Sequence, residues 1–594
     1  MQDSESSKEV EMQDQQYADD EDEKEDFKED KKENFEEDEK EESPPSGKNN
    51  YTFSEKKKKS DKEYKQINVD SGAAPGLSNH YPTITKALEA ATPYTVIKIT
   101  SGNYRENVKL KIPYITLEPK EKCGEVTIVS GGDPCLFIDL PKQDDYVVLD
   151  SIKIKYNTAS TKEDTKNPTN TDESIDPAML SQFVETFEVQ DRMKCIVNIK
   201  KGNLYLGNCK VDFEGSMDHH DDIFPCIVGQ KNSSLIAESC TIKGDSLHEA
   251  NTIGVLMEQP SMTTLKHCLI EHHLDGGIIL NLNSESLVDI TENEMRVCKK
   301  VGIFIQGEDS LPSIEGNFIK LCLSPAIVIG TGVSAMISKN NLYSDKMGVV
   351  ILNSKSTVYD NKIKKSHEDG IQVRCLGQEH VCCPTIKDNE ICESNGNGIL
   401  IEGDNANPKI LNNIVDNNKK CGVILKDCAQ IDTFKKNSIR KNYTQGVLIV
   451  EGCSAIIEDN TISMNLKANI AYGGQGSQNT KIINNVVSGS VAEGIFVVEG
   501  HENTVIVDNK VEKNKDGIVL YNSKGSCKDN TIRENQRSGI LVGGQTSADI
   551  SNNILAANIC FQILIKDPRQ QKKKKDKKKL KELYECNNLE EAPS

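Results

Sequence analysis

The sequence predicts an all-β protein, a single-stranded right-handed parallel β-helix of short strands. Three observations carry that expectation. An Asn followed shortly by an apolar residue recurs at Asn293, Asn317, Asn341, Asn361, Asn389, Asn413, Asn437, Asn460, Asn485, Asn509, Asn530 and Asn553, about every 24 residues. A Gly opening a short apolar run keeps step with it, at Gly277, Gly302, Gly348, Gly370, Gly398, Gly422, Gly446, Gly494, Gly517 and Gly539. Ala326 and Asn469 stand where two further glycines are due. The runs themselves, such as Ile399-Leu400-Ile401 and Ile518-Val519-Leu520, are too short for helices and rich in β-branched residues.

Such a strand cannot cover its apolar face alone. Stacking each copy on the previous one, about 4.8 Å per step, pairs every strand with its equivalents above and below. The Asn is expected to form a ladder, each amide bonding the next, and the Gly to supply a turn with positive φ. Weaker copies place Cys268, Ser239, Asn208 and Ser151 at the ladder position. Some 16 turns then give a rod of about 75–80 Å.

The elements follow in order. Residues 1–65 read as a disordered acidic tail, because residues 1–43 carry 21 Asp/Glu against 6 Lys. Residues 82–91, with Ile84, Ala87, Leu88 and Ala91 on one face, read as a helix capping the open edge of the coil. The coil is expected over 80–567, interrupted by an insertion at 157–194. Within it, Asp176-Pro177 starts a short helix with Met179, Leu180, Phe183, Val184 and Phe187 along one stripe. That stripe either packs on the flank of the rod or binds a partner. Phe561–Ile565 is the last strand expected. Residues 568–594 form a lysine-rich tail, with a short helix around Leu580, Leu583 and Tyr584.

Composition narrows the function classes. The N-terminus has no apolar leader and no run is long enough to span a membrane. Nineteen scattered cysteines read as reduced, mostly buried thiols, which points to the cytoplasm. The lysine-rich tail alone has a charge suited to nucleic acid, and solvation is its expected state. The densest polar stretch contains His219, His220, Asp221 and Asp222, residue types that ligate metals. His267, His272 and His273 lie one to two turns on. Adjacent loop side chains rarely converge on one ion, so no metal or cofactor is expected. With no Trp and 5% aromatics, the chain is poor in the flat faces that hold sugars.

The stretch 81–107, YPTITKALEAATPYTVIKITSGNYREN, resembles the opening of pectin methylesterases, including a G-x-Y-x-E turn at Gly102, Tyr104 and Glu106. Asp212-Phe213-Glu214-Gly215 is similar to a motif of that family, but its partner motifs are missing. With the Asn-x-Ile and Gly-Ile phrases, the chain resembles the intracellular right-handed β-helix proteins of pectin-lyase-like fold. These include the β-helix part of F-box-only proteins and the Shc-binding β-helix proteins. The resemblance implies a noncatalytic protein-binding scaffold or adaptor of the cytoskeleton or cilium, with protein partners and no catalytic residues. Two alternatives stand beside it: a carbohydrate-active enzyme (lyase, hydrolase or esterase), and a substrate-recognition subunit of a ubiquitin-ligase-type complex.

Overall fold

The computed structural model describes residues 64–590 apart from 73–77, 131–133, 158–193, 215–222, 246–249, 378, 451, 474–478 and 567–572. The acidic tail, the stripe from Met179 to Phe187 and the stretch His219–Asp222 lie outside the described residues. The chain divides into residues 1–51 and residues 52–594, and the described residues belong to the second unit.

That unit is a coil of parallel strands, three to a turn. Sheet A begins with Lys65–Val69, Thr95–Ile99 and Ile115–Pro119. Sheet B begins with Gly102–Arg105, Val126–Ser130 and Ile152–Asn157, and sheet C with Val108–Leu110, Leu136–Asp139 and Val197–Lys201. Most strands pair with the third strand on in sequence, and among the described residues twenty strands stack in sheet A. Alternation sends every second residue into one continuous core, as Ile154, Val211, Ile242 and Ile270 do in sheet B.

The coil starts earlier than the sequence suggests. Lys65–Val69 pairs with Thr95–Ile99, and His80–Tyr81 covers its outer edge. The capping helix α1, Ile84–Ala90, buries Ile84, Ala87 and Leu88 as expected. Its N-terminus explains the G-x-Y-x-E turn. The Glu106 carboxylate accepts hydrogen bonds from the Ile84 and Thr85 amides, both at 2.9 Å, and from the Thr85 hydroxyl at 2.6 Å. Tyr104 donates to the Thr100 carbonyl at 2.7 Å. The motif ties the cap to the first turns, a structural role.

The other end also closes differently. Residues beyond 567 are more than a tail, because α2, Lys573–Glu585, packs Leu580, Leu583 and Tyr584 on the core. Asn588–Glu590 then pairs with Ile554–Ala556 as a further sheet B strand. Just before it, Asn587 accepts at Oδ1 from the Asn553 amide (3.0 Å) and its Nδ2 (2.8 Å). The last copy of the repeat phrase is Asn587-Asn588-Leu589, delayed by the helix.

The ladder itself is present with a correction. From Asn293 to Asn553 each Nδ2 and backbone amide donates to the next Oδ1, but the member after Asn317 is Asn340, not Asn341. Asn341 faces solvent on sheet B. Further back, Cys209 and Cys240 hold the position assigned to Asn208 and Ser239, and Ile152 the one assigned to Ser151. Those three residues are instead the left-handed corner just before it, with φ of 52°, 56° and 59°. The same corner before each Asn carries the positive φ expected of the glycines. The glycines are needed for space: a Cβ on Gly517 would fall 2.4 Å from the Gly539 carbonyl oxygen one turn on.

A second ladder runs five residues behind the first. Asn418, Asn442 and Asn465 link in series at 3.0 Å, and Asn514, Asn535 and Asn558 continue it. Ser490 interrupts the amides. Asn469, the residue that replaces a glycine, accepts from Asn465 at 2.8 Å and donates to Asn514 at 3.1 Å across the gap. The exception in one column thus repairs the other.

Candidate functional site

In a stacked coil, residues in register form columns, and the outward column of sheet B is charged. It runs Lys155, Asp212, Lys243, Glu271, Arg296 and Lys320 through successive turns. Asp212 lies 3.1 Å from Lys153, and Glu271 lies 3.7 Å from Lys243 and 2.9 Å from Arg296 Nε. Arg296 Nε also approaches Glu294 at 3.9 Å, which Lys320 reaches at 3.2 Å. Neighbours of one sign within a column repel across about 4.8 Å; the signs alternate from Lys155 to Arg296, and Lys320, which follows Arg296, pairs with Glu294 instead.

At the corner beside Glu271 stands His272, with φ of 62°. Burial holds its imidazole pKa below the ordinary value; Glu271 raises it, while Lys243 and Arg296 lower it further. The ring is therefore neutral near pH 7. Its Nδ1 is buried and makes no hydrogen bond among the described residues. Asp245 completes the electrostatic surroundings of the ring. A neutral imidazole next to an Arg and a Lys can accept a proton near a bound anion. Arg296 is a guanidinium, whose planar fork of donors suits a carboxylate.

Farther along the same edge lies a depression of about 450 Å³, lined by Lys365, His367, Glu393, Lys419 and Tyr443 among others. Lys365 Nζ sits 5.2 Å from the Tyr343 ring centre and Lys419 Nζ 5.7 Å from that of Tyr443. Tyr443 is exposed.

Of the other sequence candidates, His267 and His273 are described and do not converge with His272. His273 points inward, fully buried, against the Thr252 hydroxyl and the Ile242 carbonyl, and burial pushes its pKa down to about 4. His267 lies 3.2 Å from Glu292 on the surface. Among the described residues no three His, Cys, Asp or Glu are placed to hold a metal. Phe213 of the Asp-Phe-Glu-Gly stretch is core. No helix among the described residues is long and apolar enough to cross a membrane. The sequence pointed to His272 only as a histidine one to two turns on from His219–Asp222. Spacing alone missed Glu271 and Arg296, whose signal was present: charges at ladder plus three in consecutive repeats.

A family model described as right-handed beta helix region matches residues 203–357, 280–433 and 423–567. No curated protein matches the chain. Similar solved structures include a double mutant of the periplasmic alginate epimerase AlgG, at 14% identity over 72% of this chain and 86% of that one, with a TM-score of 0.34. DFA-IIIase from Arthrobacter chlorophenolicus A6 follows at 11% identity over 70% and 94%, TM-score 0.28. A tailspike protein of E. coli bacteriophage HK620 in complex with pentasaccharide shows 9% identity over 82% and 74%, TM-score 0.30. Identities this low transfer no residue role. The expectation of a noncatalytic chain is corrected: the right-handed coil gives no ground for it, because a fold of this kind does not decide whether a chain is catalytic. The cytoskeletal and ciliary reading finds no support among these structures.

Proposed function

The chain belongs to the right-handed beta helix region family, and on that premise we propose that it is a carbohydrate-active protein that cleaves an acidic polysaccharide by β-elimination. The observation that carries this reading is the neutral imidazole of His272 beside Arg296 and Lys243. A uronate carboxylate held by those two cations has its neighbouring C5 proton acidified. His272 takes that proton, and the C5–H electron pair forms a C4=C5 double bond. The C4–O bond breaks, and the leaving oxygen takes a proton from solvent. Glu271 orients the guanidinium in the absence of substrate. Long polymers suit a long edge, and the Tyr443 depression supplies a ring face and lysines for more distant sugar units.

The test is to incubate the full chain with polygalacturonate, alginate and hyaluronan and follow the ultraviolet absorbance of the new double bond. Growth of that absorbance on one polymer, lost in His272→Ala, supports the reading. Neither binding nor absorbance change with any acidic polymer overturns it.

A further inference from the structure

Large apolar side chains stand exposed in line along the corner between sheets B and C. In each turn one residue points inward there, in the column that includes Cys322, Asn465, Ser490 and Asn558, and its neighbours point out. The outward residues are Leu321 and Leu323 in one turn, Met464 and Leu466 in another, Val491 in the next and Ile559 near the end. All six are between 47% and 73% exposed. Backbone hydrogen bonds between successive turns, such as Leu466 N to the Asn442 carbonyl at 3.0 Å, keep them in register. A single exposed leucine is ordinary, whereas a line of apolar side chains marks a contact surface.

Exposed cations flank the middle of this line. Lys441 takes the left-handed corner one turn before Met464, and Lys513 takes it two turns after, with φ of 54° and 58°. Lys467 follows Leu466, and Lys515 holds the position of Val491 one turn on. All four lysines are exposed, and Lys513 lies 3.8 Å from Glu534. The acids of these turns are withdrawn: Asp516 is buried against Arg537, and Glu493 is half-buried. From Lys441 to Lys513 is three steps, about 14 Å.

The charge and shape select the occupant. A second copy docked by two-fold symmetry would set lysine against lysine, because such a contact repeats one patch on both sides. A peptide site of this composition would be a groove, and here the chain turns outward from the core with a strand receding on either side. A bilayer with anionic headgroups needs only a straight apolar edge with cations at headgroup level. We propose that this corner, centred on Met464, Leu466 and Val491, rests on the surface of an anionic lipid bilayer. Those three side chains lie below the headgroups, and the flexible lysine stems keep the four ammonium groups among the lipid anions.

The experiment floats the full chain with vesicles of phosphatidylcholine alone, or with phosphatidylserine added. Flotation with the anionic vesicles is expected, weakening as salt rises. It falls about tenfold or more in Leu466→Glu with Val491→Glu, which removes the apolar contact and adds two like charges to the lipid's own. Both positions are exposed, so the coil stays intact, as circular dichroism checks. Leu311→Glu, equally exposed but at the corner between sheets C and A, binds like the unaltered chain. The double variant keeps the lysine-rich stretch 566–581. Equal flotation of the double variant and the unaltered chain therefore assigns lipid binding to that stretch and overturns the proposal. Flotation with neither vesicle overturns it too, and capture of poly-glutamate by the same corner would then point to an acidic protein instead.

Discussion

Two turns of the coil carry nearly the same ion cluster on sheet B. In one, Glu271 lies 2.9 Å from Arg296 Nε with Lys243 beside it; in the other, Glu512 lies 3.0 Å from Arg533 Nε with Lys510 at 3.2 Å. The residue after each carboxylate is a left-handed corner, His272 in the first and Lys513 in the second. The inward positions differ in the same way: Cys268 and His273 in the first turn, Asn509 and Asn514 in the second. A carboxylate bracketed by cations is therefore a recurring device of the column and indicates no chemistry. At Glu512 burial works to raise the pKa, yet hydrogen bonds and charge from Arg533 and Lys510 leave it lowered, as an ordinary ion pair requires. What sets the Glu271 turn apart is a neutral imidazole in place of a lysine, in the half of the coil where amide ladders do not fix every turn.

The largest expected effect sharpens the inward difference. Asn509 donates from its amide and Nδ2 to Asn530 Oδ1 at 3.0 Å, and from Nδ2 to the Ile482 carbonyl at 2.8 Å. Its Oδ1 receives Asn485. Asn509→Ala strands several buried partners and should cost about 3–4 kcal/mol. Cys268→Ala removes a thiol whose bonds to the Ala237 and Lys266 carbonyls are 3.5 and 3.3 Å, and should cost about 1 kcal/mol. Hydrogen exchange of the flanking strands reads both locally, since repeat arrays unfold in parts. Equal costs would erase the distinction between the halves.

Next comes Asp345, in the same inward column as His273 and Asn514. Burial raises its pKa to about 7, and its Oδ2 has no hydrogen-bond partner among the described residues while Oδ1 accepts the Cys322 amide at 2.8 Å. A carboxyl with a raised folded pKa is stabilising when protonated, and stability falls as pH rises from about 4 to 7. Asp345→Asn, which supplies the amide the column uses elsewhere, should raise stability at pH 8 by a few kcal/mol and change little at pH 4. Denaturant titration at the two pH values checks this.

His273 runs the other way. With its pKa near 4 against an ordinary 6.5, the unfolded chain takes up the proton first. Stability is full above pH 6.5 and falls as pH drops toward 4, by about 3 kcal/mol. His273→Asn should flatten that slope, and thermal melts across the range would show it.

The smallest effect is expected at the surface of the second turn. Arg533→Gln should cost at most about 1 kcal/mol, because the pair is partly exposed.

The coil was legible because one turn repeats its local chemistry: a small residue where backbones approach, an amide where a corner leaves groups unpaired. Single-residue offsets were not legible. Asn340 and Asn341 both satisfy the written pattern, and only the inward turn of one side chain separates them. Thiols in place of amides at Cys209 and Cys240 hid the ladder behind residues that merely take its left-handed corner. Asn587 escaped because a lysine-rich helix lengthens the spacing to 34 residues. The cluster around His272 depends on register between turns, which spacing alone leaves open to a shift of one residue and hence to the opposite face.

The most direct measurement of the central claim compares His272→Gln and Arg533→Gln with the unaltered chain on the acidic polymer it acts on. Initial rates of double-bond formation are followed across pH. The account predicts a rate that falls as pH drops through the imidazole's lowered pKa, a loss of about 100-fold or more in His272→Gln, and no change in Arg533→Gln. Equal rates in His272→Gln and the unaltered chain would contradict it.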